Sequence, residues 1–188
     1  MTVTDLNIPG LRLFEPRVFE DERGAFLEAY HAARYREHGL DRDFVQDNLS
    51  RSRRGVVRGL HFQRRHPQGK LISVVRGAIY DVAVDLRPGS ETFGEHVGVE
   101  LSDANGRQLW VPPGFAHGFA ALSDRADVLY KCTDVYHPDD EGGLLWNDPA
   151  LGIDWPVAEP ILSERDRMHP PLAALTPEML PAAESVAL

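Results

Sequence analysis

The stretch 70–133 constrains the fold more than any other part of the chain. Apolar residues there recur at every second position, and Gly, Pro or Asn-Gly breaks each run after a few residues. Within 80–86, Tyr80, Val82, Val84 and Leu86 fall on one side and Asp81, Ala83 and Asp85 on the other. Period-two alternation of this kind reads as a half-buried strand. Arg76-Gly77 interrupts the longer run 70–86 and predicts a hairpin turn. Asp103-Ala104-Asn105-Gly106 and Pro112-Pro113-Gly114 mark two more breaks. Further strands are expected at 96–101, 107–111, 117–122 and 128–133. Strands at this spacing predict an antiparallel sandwich or barrel. The one helical stretch is 28–39, rich in Ala, Glu, Arg and Tyr, with Gly39 as its stop. From Pro156 the chain is Pro-rich and irregular, and 176–188 reads as a tail that frays or packs on the surface.

Length and charge narrow the partners. The chain has 188 residues, which fits one domain over 1–188. Twenty Lys and Arg stand against 29 Asp and Glu, a formal net charge of −9. An acidic chain is a poor fit to general nucleic-acid binding, which needs a basic surface. One cysteine, Cys132, excludes an internal disulfide framework and reads as a small core residue. No apolar run approaches the ~20 residues that span a bilayer. The opening residues lack the pattern of a signal peptide, so a cytoplasmic location is expected.

Five segments could carry chemistry. In 58–63, a strand would turn Arg58, Leu60 and Phe62 to one face and Gly59, His61 and Gln63 to the other. A hairpin into 68–70 would bring Lys70 beside His61. A histidine base with a lysine near the oxygen suits proton abstraction next to a carbonyl; a lone histidine would otherwise be a surface residue. Tyr130 and Tyr136 are six apart and would share a strand face. They read either as core or rim tyrosines or as a proton donor and a stacking platform. Asp166, in Leu162-Ser163-Glu164-Arg165-Asp166, could orient a histidine, but spacing alone describes an exposed charged turn. Arg51, Arg53, Arg54 and Arg58 form a basic cluster suited to a phosphate-bearing small molecule.

The fifth segment is Trp110 to Phe119. Its Pro112-x-Gly-x-x-His117 resembles the second motif of the cupin superfamily. The first cupin motif would need two histidines one residue apart and a glutamate soon after. Here His61 is followed by Phe62 and Gln63, so a cupin metal site is not expected.

Taken in order, the matching segments resemble the dTDP-4-dehydrorhamnose 3,5-epimerase family over about 150 residues. They include Phe19 to Gly24, Phe44 to Asn48, Gly55 to Gln63, Gln68 to Leu71, Asp81 to Arg87, Trp110 to Phe119, Tyr130 to Pro138, Leu145 to Pro149 and Leu162 to Asp166. The resemblance implies a mainly β, cupin-type jelly roll with a few short helices, and a homodimer sharing strands. It implies a dTDP-4-keto-6-deoxyhexose substrate and no cofactor or metal. His61 would remove a proton from C3 or C5, oriented by Asp166. Lys70 would steady the enolate oxygen, and Tyr130 would return a proton on the opposite face. Arg23, Arg58, Gln46 and Asn48 would serve the diphosphate and nucleotide. Tyr136 would stack on thymine, with Phe19 of a partner subunit across it. Glu28, His117, Glu141 and Arg165 complete the implied site. Arg165 stands where many members carry lysine, and the loop between His61 and Lys70 holds His66-Pro67.

Four other readings share parts of this pattern: a relative inverting C3 or C5 alone, a sugar-nucleotide ketoisomerase, a non-catalytic nucleotide-sugar binder and a metal-dependent cupin oxygenase. The Arg58-Gly-Leu-His61 run and Tyr130 argue against the ketoisomerase. The presence of His61, Tyr130 and Asp166 argues against the silent binder.

Overall fold

The computed structural model describes residues 1–182. Two antiparallel sheets dominate it. The six-stranded sheet runs β1 (Thr2–Asp5), β2 (Arg12–Glu15), β10 (Gln108–Val111), β7 (Lys70–Arg76), β12 (Arg125–Cys132) and β5 (Gln46–Arg53). The five-stranded sheet runs β13 (Glu141–Gly143), β6 (Val57–Gln63), β11 (Phe115–Ala121), β8 (Ala78–Asp85) and β9 (His96–Ser102). A separate hairpin, β3 (Val18–Asp21) and β4 (Gly24–Leu27), pairs only within itself. Two short helices, α1 (Ala32–Glu37) and α2 (Glu164–Arg167), complete the main elements. The expected strands at 96–101, 107–111, 117–122 and 128–133 are all present as β9 to β12, with no end shifted by more than three residues.

The hairpin expected at Arg76-Gly77 is not there. β7 pairs with β10 and β12, whereas β8 pairs with β11 and β9. Gly77 is instead a crossover between sheets, at φ +80 and against Arg125 and Ser123. A glycine in that left-handed region turns the chain without a Cβ penalty. The same holds for β6 and β7, which lie in opposite sheets.

The faces of β8 explain why a half-buried reading also fails. Ile79 and Ala83 face the other sheet, in a core with Ile72, Leu109, Phe119 and Val128. Val82, Val84 and Leu86 face outward, but Leu60, Phe62, Leu144 and the segment bearing Leu172, Leu175 and Leu180 cover them. Both faces of β8 are therefore buried. The terminal segment packs rather than frays as far as it is described: Ala182 N–H donates to the Arg64 carbonyl at 2.7 Å. Residues 183–188 of the expected tail lie outside the described residues.

The outer face of the six-stranded sheet is closed by α1. Tyr35 is its one buried residue, stacked on Phe14 at 5.0 Å between ring centroids. Its hydroxyl donates to Gln108 Oε1 at 2.5 Å. The helix is shorter than 28–39. It begins after an extended His31 that makes no side-chain cap, and Leu40 N–H returning to the Tyr35 carbonyl closes its end. Among the described residues no helix is long and apolar enough to cross a membrane.

Candidate active site

Between the two sheets the core is apolar at one end and polar at the other. The polar end opens into two adjoining lobes of about 360 and 350 Å³, which share His61, Lys70, Tyr130, Glu141 and Arg165. This is the size range of small-ligand pockets.

Strand register decides which side chains reach it. Lys70 pairs with Cys132, Ile72 with Tyr130, and Tyr130 with Asn48. Residues opposite one another on paired strands share a face. Lys70, Tyr130, Cys132, Gln46 and Asn48 therefore lie on one inner wall. On the facing wall His61 pairs with His117 and Gly143, and Gln63 with Glu141. Lys70 thus meets His61 across the interior and not through a hairpin.

Arg58 was expected to face away from His61, yet it lines the cavity with it. The cause is a register shift between His117 and Phe119 on β11, opposite this part of β6. A bulge of this kind re-aims side chains. It also needs glycine on both strands. A Cβ on Gly59, at φ +112, would sit 2.7 Å from Gly118 Cα, and one on Gly118 would sit 2.5 Å from the Arg58 carbonyl oxygen. Arg58 donates to Ser52 Oγ at 3.0 Å.

The His61 imidazole lies beside Asp166, which is 105 positions away in sequence. Nε2 and Oδ1 are 2.6 Å apart. The exposed charged turn suggested by spacing is instead helix α2, docked with Asp166 buried. Ser163 caps the helix, its hydroxyl accepting from Asp166 N–H at 3.1 Å. Burial alone would raise the Asp166 carboxyl, but the His61 hydrogen bond, the His61 charge and the Ser163 bond together hold it below the usual carboxylate range. An ionised Asp166 fixes the proton on His61 Nε2 and leaves Nδ1 with its lone pair.

Lys70 and Tyr130 are tuned by burial. Desolvation lowers Lys70, only partly offset by Cys132, Asp81 and Glu141. Among the described residues no carboxylate lies within ion-pair distance of its ammonium. Desolvation raises Tyr130, so its phenol stays protonated at neutral pH.

Deeper in the wall, His117 Nε2 lies 2.9 and 3.0 Å from the two Asp81 oxygens, both residues buried. Asp81 was not singled out in the sequence, although its place two residues from Ala83, the register partner of His117, puts it on the inner face.

At the mouth, Tyr136 lies beyond the end of β12, so it and Tyr130 do not share a strand. Both nevertheless line one lobe. Tyr136 donates its hydroxyl to Glu141, which pairs with Arg165 at 2.8 Å. That Glu141 bond is the first cause of a raised Tyr136. Gln46 accepts from Tyr136 N–H at 2.8 Å and donates to Asn48. Buried Gln63, also unflagged by sequence, accepts from His137 N–H and donates to the His66 and Val135 carbonyls, tying the two rim loops together.

Other expected residues are elsewhere. Phe19 and Arg23 sit on the free hairpin β3–β4, Arg23 paired with Asp21 and Phe19 half exposed. Glu28 pairs with Arg34. None of these three lines the central cavity within one chain. Arg51 and Arg53 point to the outer face of β5, and Arg51 and Arg54 face Asp127 and Asp124. Of the basic cluster, only Arg58 reaches the cavity.

Comparison with known proteins agrees with this architecture. Residues 5–174 match the family model for dTDP-4-dehydrorhamnose 3,5-epimerase. A dTDP-4-dehydrorhamnose 3,5-epimerase of Methanothermobacter thermautotrophicus is 56% identical over 169 residues, covering 88% of this chain and 91% of that one. The crystal structure of a dTDP-6-deoxy-D-glucose-3,5-epimerase from Legionella pneumophila, bound to dTDP-4-keto-L-rhamnose, superposes with a TM-score of 0.93 at 50% identity. It covers 96% of this chain and 97% of that one. A 4-keto-6-deoxy sugar epimerase from the novobiocin biosynthetic gene cluster of Streptomyces spheroides gives a TM-score of 0.94 at 41% identity, over all of this chain and 96% of that one. With the fold, the cavity and the similarity in agreement over most of its length, the chain is an isomerase-class sugar-nucleotide epimerase and belongs to the dTDP-4-dehydrorhamnose 3,5-epimerase family.

Proposed function

We propose that this protein inverts both C3 and C5 of a dTDP-4-keto-6-deoxyhexose through an enolate, without cofactor. The observation that carries the reading is the arrangement of proton-handling groups on opposite walls. His61, backed by Asp166, belongs to the five-stranded sheet, while Tyr130 and Lys70 belong to the six-stranded one. A sugar ring held between the walls presents one face to a base and the other to an acid. His61 Nδ1 takes the proton next to the ketone. The charge moves to the ketone oxygen, where the Lys70 ammonium stabilises it. Tyr130 delivers a proton to the opposite face of that carbon, which is inverted. His61 then gives its proton to water and Tyr130 regains one from water before the second carbon is inverted, so there is no net proton or redox change.

Positioned acid–base groups contribute about 10²–10⁴-fold each, and one oxyanion donor about 2.7–4 kcal/mol. Arg58, Gln46 and Asn48 would hold the diphosphate and nucleotide. Tyr136 would stack on the base, placed by Gln46 and the Glu141–Arg165 pair. His117, held by Asp81, would shape the sugar end. Phe19, Arg23 and Glu28 lie off the cavity, which supports a homodimer in which a partner subunit supplies them.

The test is deuterium exchange in D₂O with dTDP-4-keto-6-deoxyglucose, followed at C3 and C5 by NMR. Exchange at both carbons, lost by a factor of about 10²–10⁴ in His61→Asn, is the expected result. Exchange at one carbon would assign a single-centre epimerase. No exchange above the protein-free control would overturn the reading in favour of a binder or another substrate.

A further inference from the structure

Behind His61 and Asp166 lies a second imidazole that the reaction does not use. His169 sits three residues after Asp166, its side chain only 11% exposed. Its seat exists because residue 143 is glycine: a Cβ there would lie 2.1 Å from the His169 ring. The ring meets His61 edge-on, with centroids 5.6 Å apart and an interplanar angle of 78°. His169 Nε2 is buried and makes no hydrogen bond to any described residue. It lies 3.8 Å from Asp166 Oδ1, the same oxygen that holds His61 Nε2 at 2.6 Å. A buried ring nitrogen with no hydrogen bond, beside a carboxylate, calls for an explanation.

We propose that His61, Asp166 and His169 bind a divalent transition-metal ion, and that an ion bound there switches the base off. The three ligand atoms lie within 4.8 Å of one another. Two imidazoles and one carboxylate suit Zn²⁺, Co²⁺ or Fe²⁺. Ligand bonds near 2.0–2.2 Å at tetrahedral angles separate the ligand atoms by about 3.3 Å. His61 and Asp166 must open by about 0.7 Å, His169 must close on Asp166 by about 0.5 Å, and the two imidazole nitrogens, which lie within 4.8 Å of one another, must come to the same spacing. His61 and Asp166 both line the cavity, which gives an ion a route to the site. The metal inhibits through the tautomer. A neutral imidazole bound through Nε2 carries its one proton on Nδ1. Nδ1 is the atom that the proposed reaction needs as a free lone pair. This half of the inference rests on His61 as the base; the binding half does not.

Co²⁺ titration of chelator-treated protein, read by its visible absorption, tests binding. One ion per chain is expected, with affinity falling at least about tenfold in both His169→Ala and His169→Gln. A melt of each variant separates lost binding from lost fold. His66, Asp134 and His137 form a second group within reach of one ion, on the rim. The double variant His66→Ala, His137→Ala should keep the Co²⁺ signal. Absence of saturable binding, survival of the signal without His169, or its loss in the rim double variant would each overturn the site. Zn²⁺ should then stop deuterium exchange, and a chelator should restore it. Unchanged exchange in fully loaded protein overturns the switch. A protein that binds Co²⁺ through His169 yet never exchanges deuterium sinks the epimerase reading and leaves the site standing.

Discussion

In the proposed reaction, Lys70 is where stability and chemistry oppose one another. Burial lowers its folded-state pKa below the unfolded value. The native state then binds fewer protons than the unfolded one, so stability rises with pH up to the ordinary lysine range and is penalised at neutral pH. Lys70→Met should therefore raise the thermal midpoint, by the equivalent of about 1 kcal/mol or more, while cutting the exchange rate about 10²–10³-fold. A variant that loses both stability and activity would show that the ammonium is a structural partner instead. Tyr130→Phe should separate the two halves of the reaction. Proton removal persists, so deuterium still enters from the His61 face, but inverted product falls by about 10²-fold or more. The sequence placed His61 and Lys70 at one cavity, although by a hairpin that is not there; they meet across the two sheets. Spacing alone left Asp166 in an exposed turn and only the family resemblance tied it to His61, because the docking spans 105 residues of sequence; His169 was not singled out at all.

At the level of elements, period-two alternation located the strands well and their partners poorly. It says which residues share a face, but it cannot say whether the next strand returns beside the last or crosses to the facing sheet. Gly77 looks the same in either case until the partners of β7 and β8 are known. The burial of β8 was hidden for a related reason: part of its cover comes from residues 172–180, which carry no strand pattern. The bulge at Gly59 and Gly118 was equally invisible, although it puts Arg58 in the cavity. Gly59→Ala should cost about 2–4 kcal/mol, from a strained φ and from backbone atoms that cannot give way. Urea unfolding measures it, and a change under 1 kcal/mol would mean the two strands part easily. The free hairpin β3–β4 makes no such demand on the core. Phe19→Ala should leave the unfolding midpoint unchanged and raise KM more than it lowers kcat, if a partner's ring covers the nucleotide.

For the whole molecule, buried carboxylates set the acid limit. Burial would raise Asp85, but Arg87, Ser90 and Thr92 outweigh it and hold the group low. Asp140 is held low in the same way by Arg65 and the His66 N–H, and Asp166 by His61. A carboxyl whose folded-state pKa lies below its unfolded value adds stability above the unfolded value, near 4, and loses it as pH falls through the folded one. The urea midpoint should change little on account of these groups between about pH 7 and 5 and fall steeply below about 4. A midpoint that stays flat to about pH 3 would mean these contacts are not held in solution.

The alternation between sheets also bears on how the chain is made. β5 is complete once Arg53 leaves the ribosome, yet its one neighbour in the sheet, β12, is not finished until Cys132. At about 5–20 residues per second, that interval of roughly 80 residues lasts about 4–16 s. Throughout it the nascent chain exposes an unpaired strand bearing Leu49. Yield in a cell will therefore depend on whatever shields the first half of the chain during synthesis, and a stronger finished fold will not substitute for it.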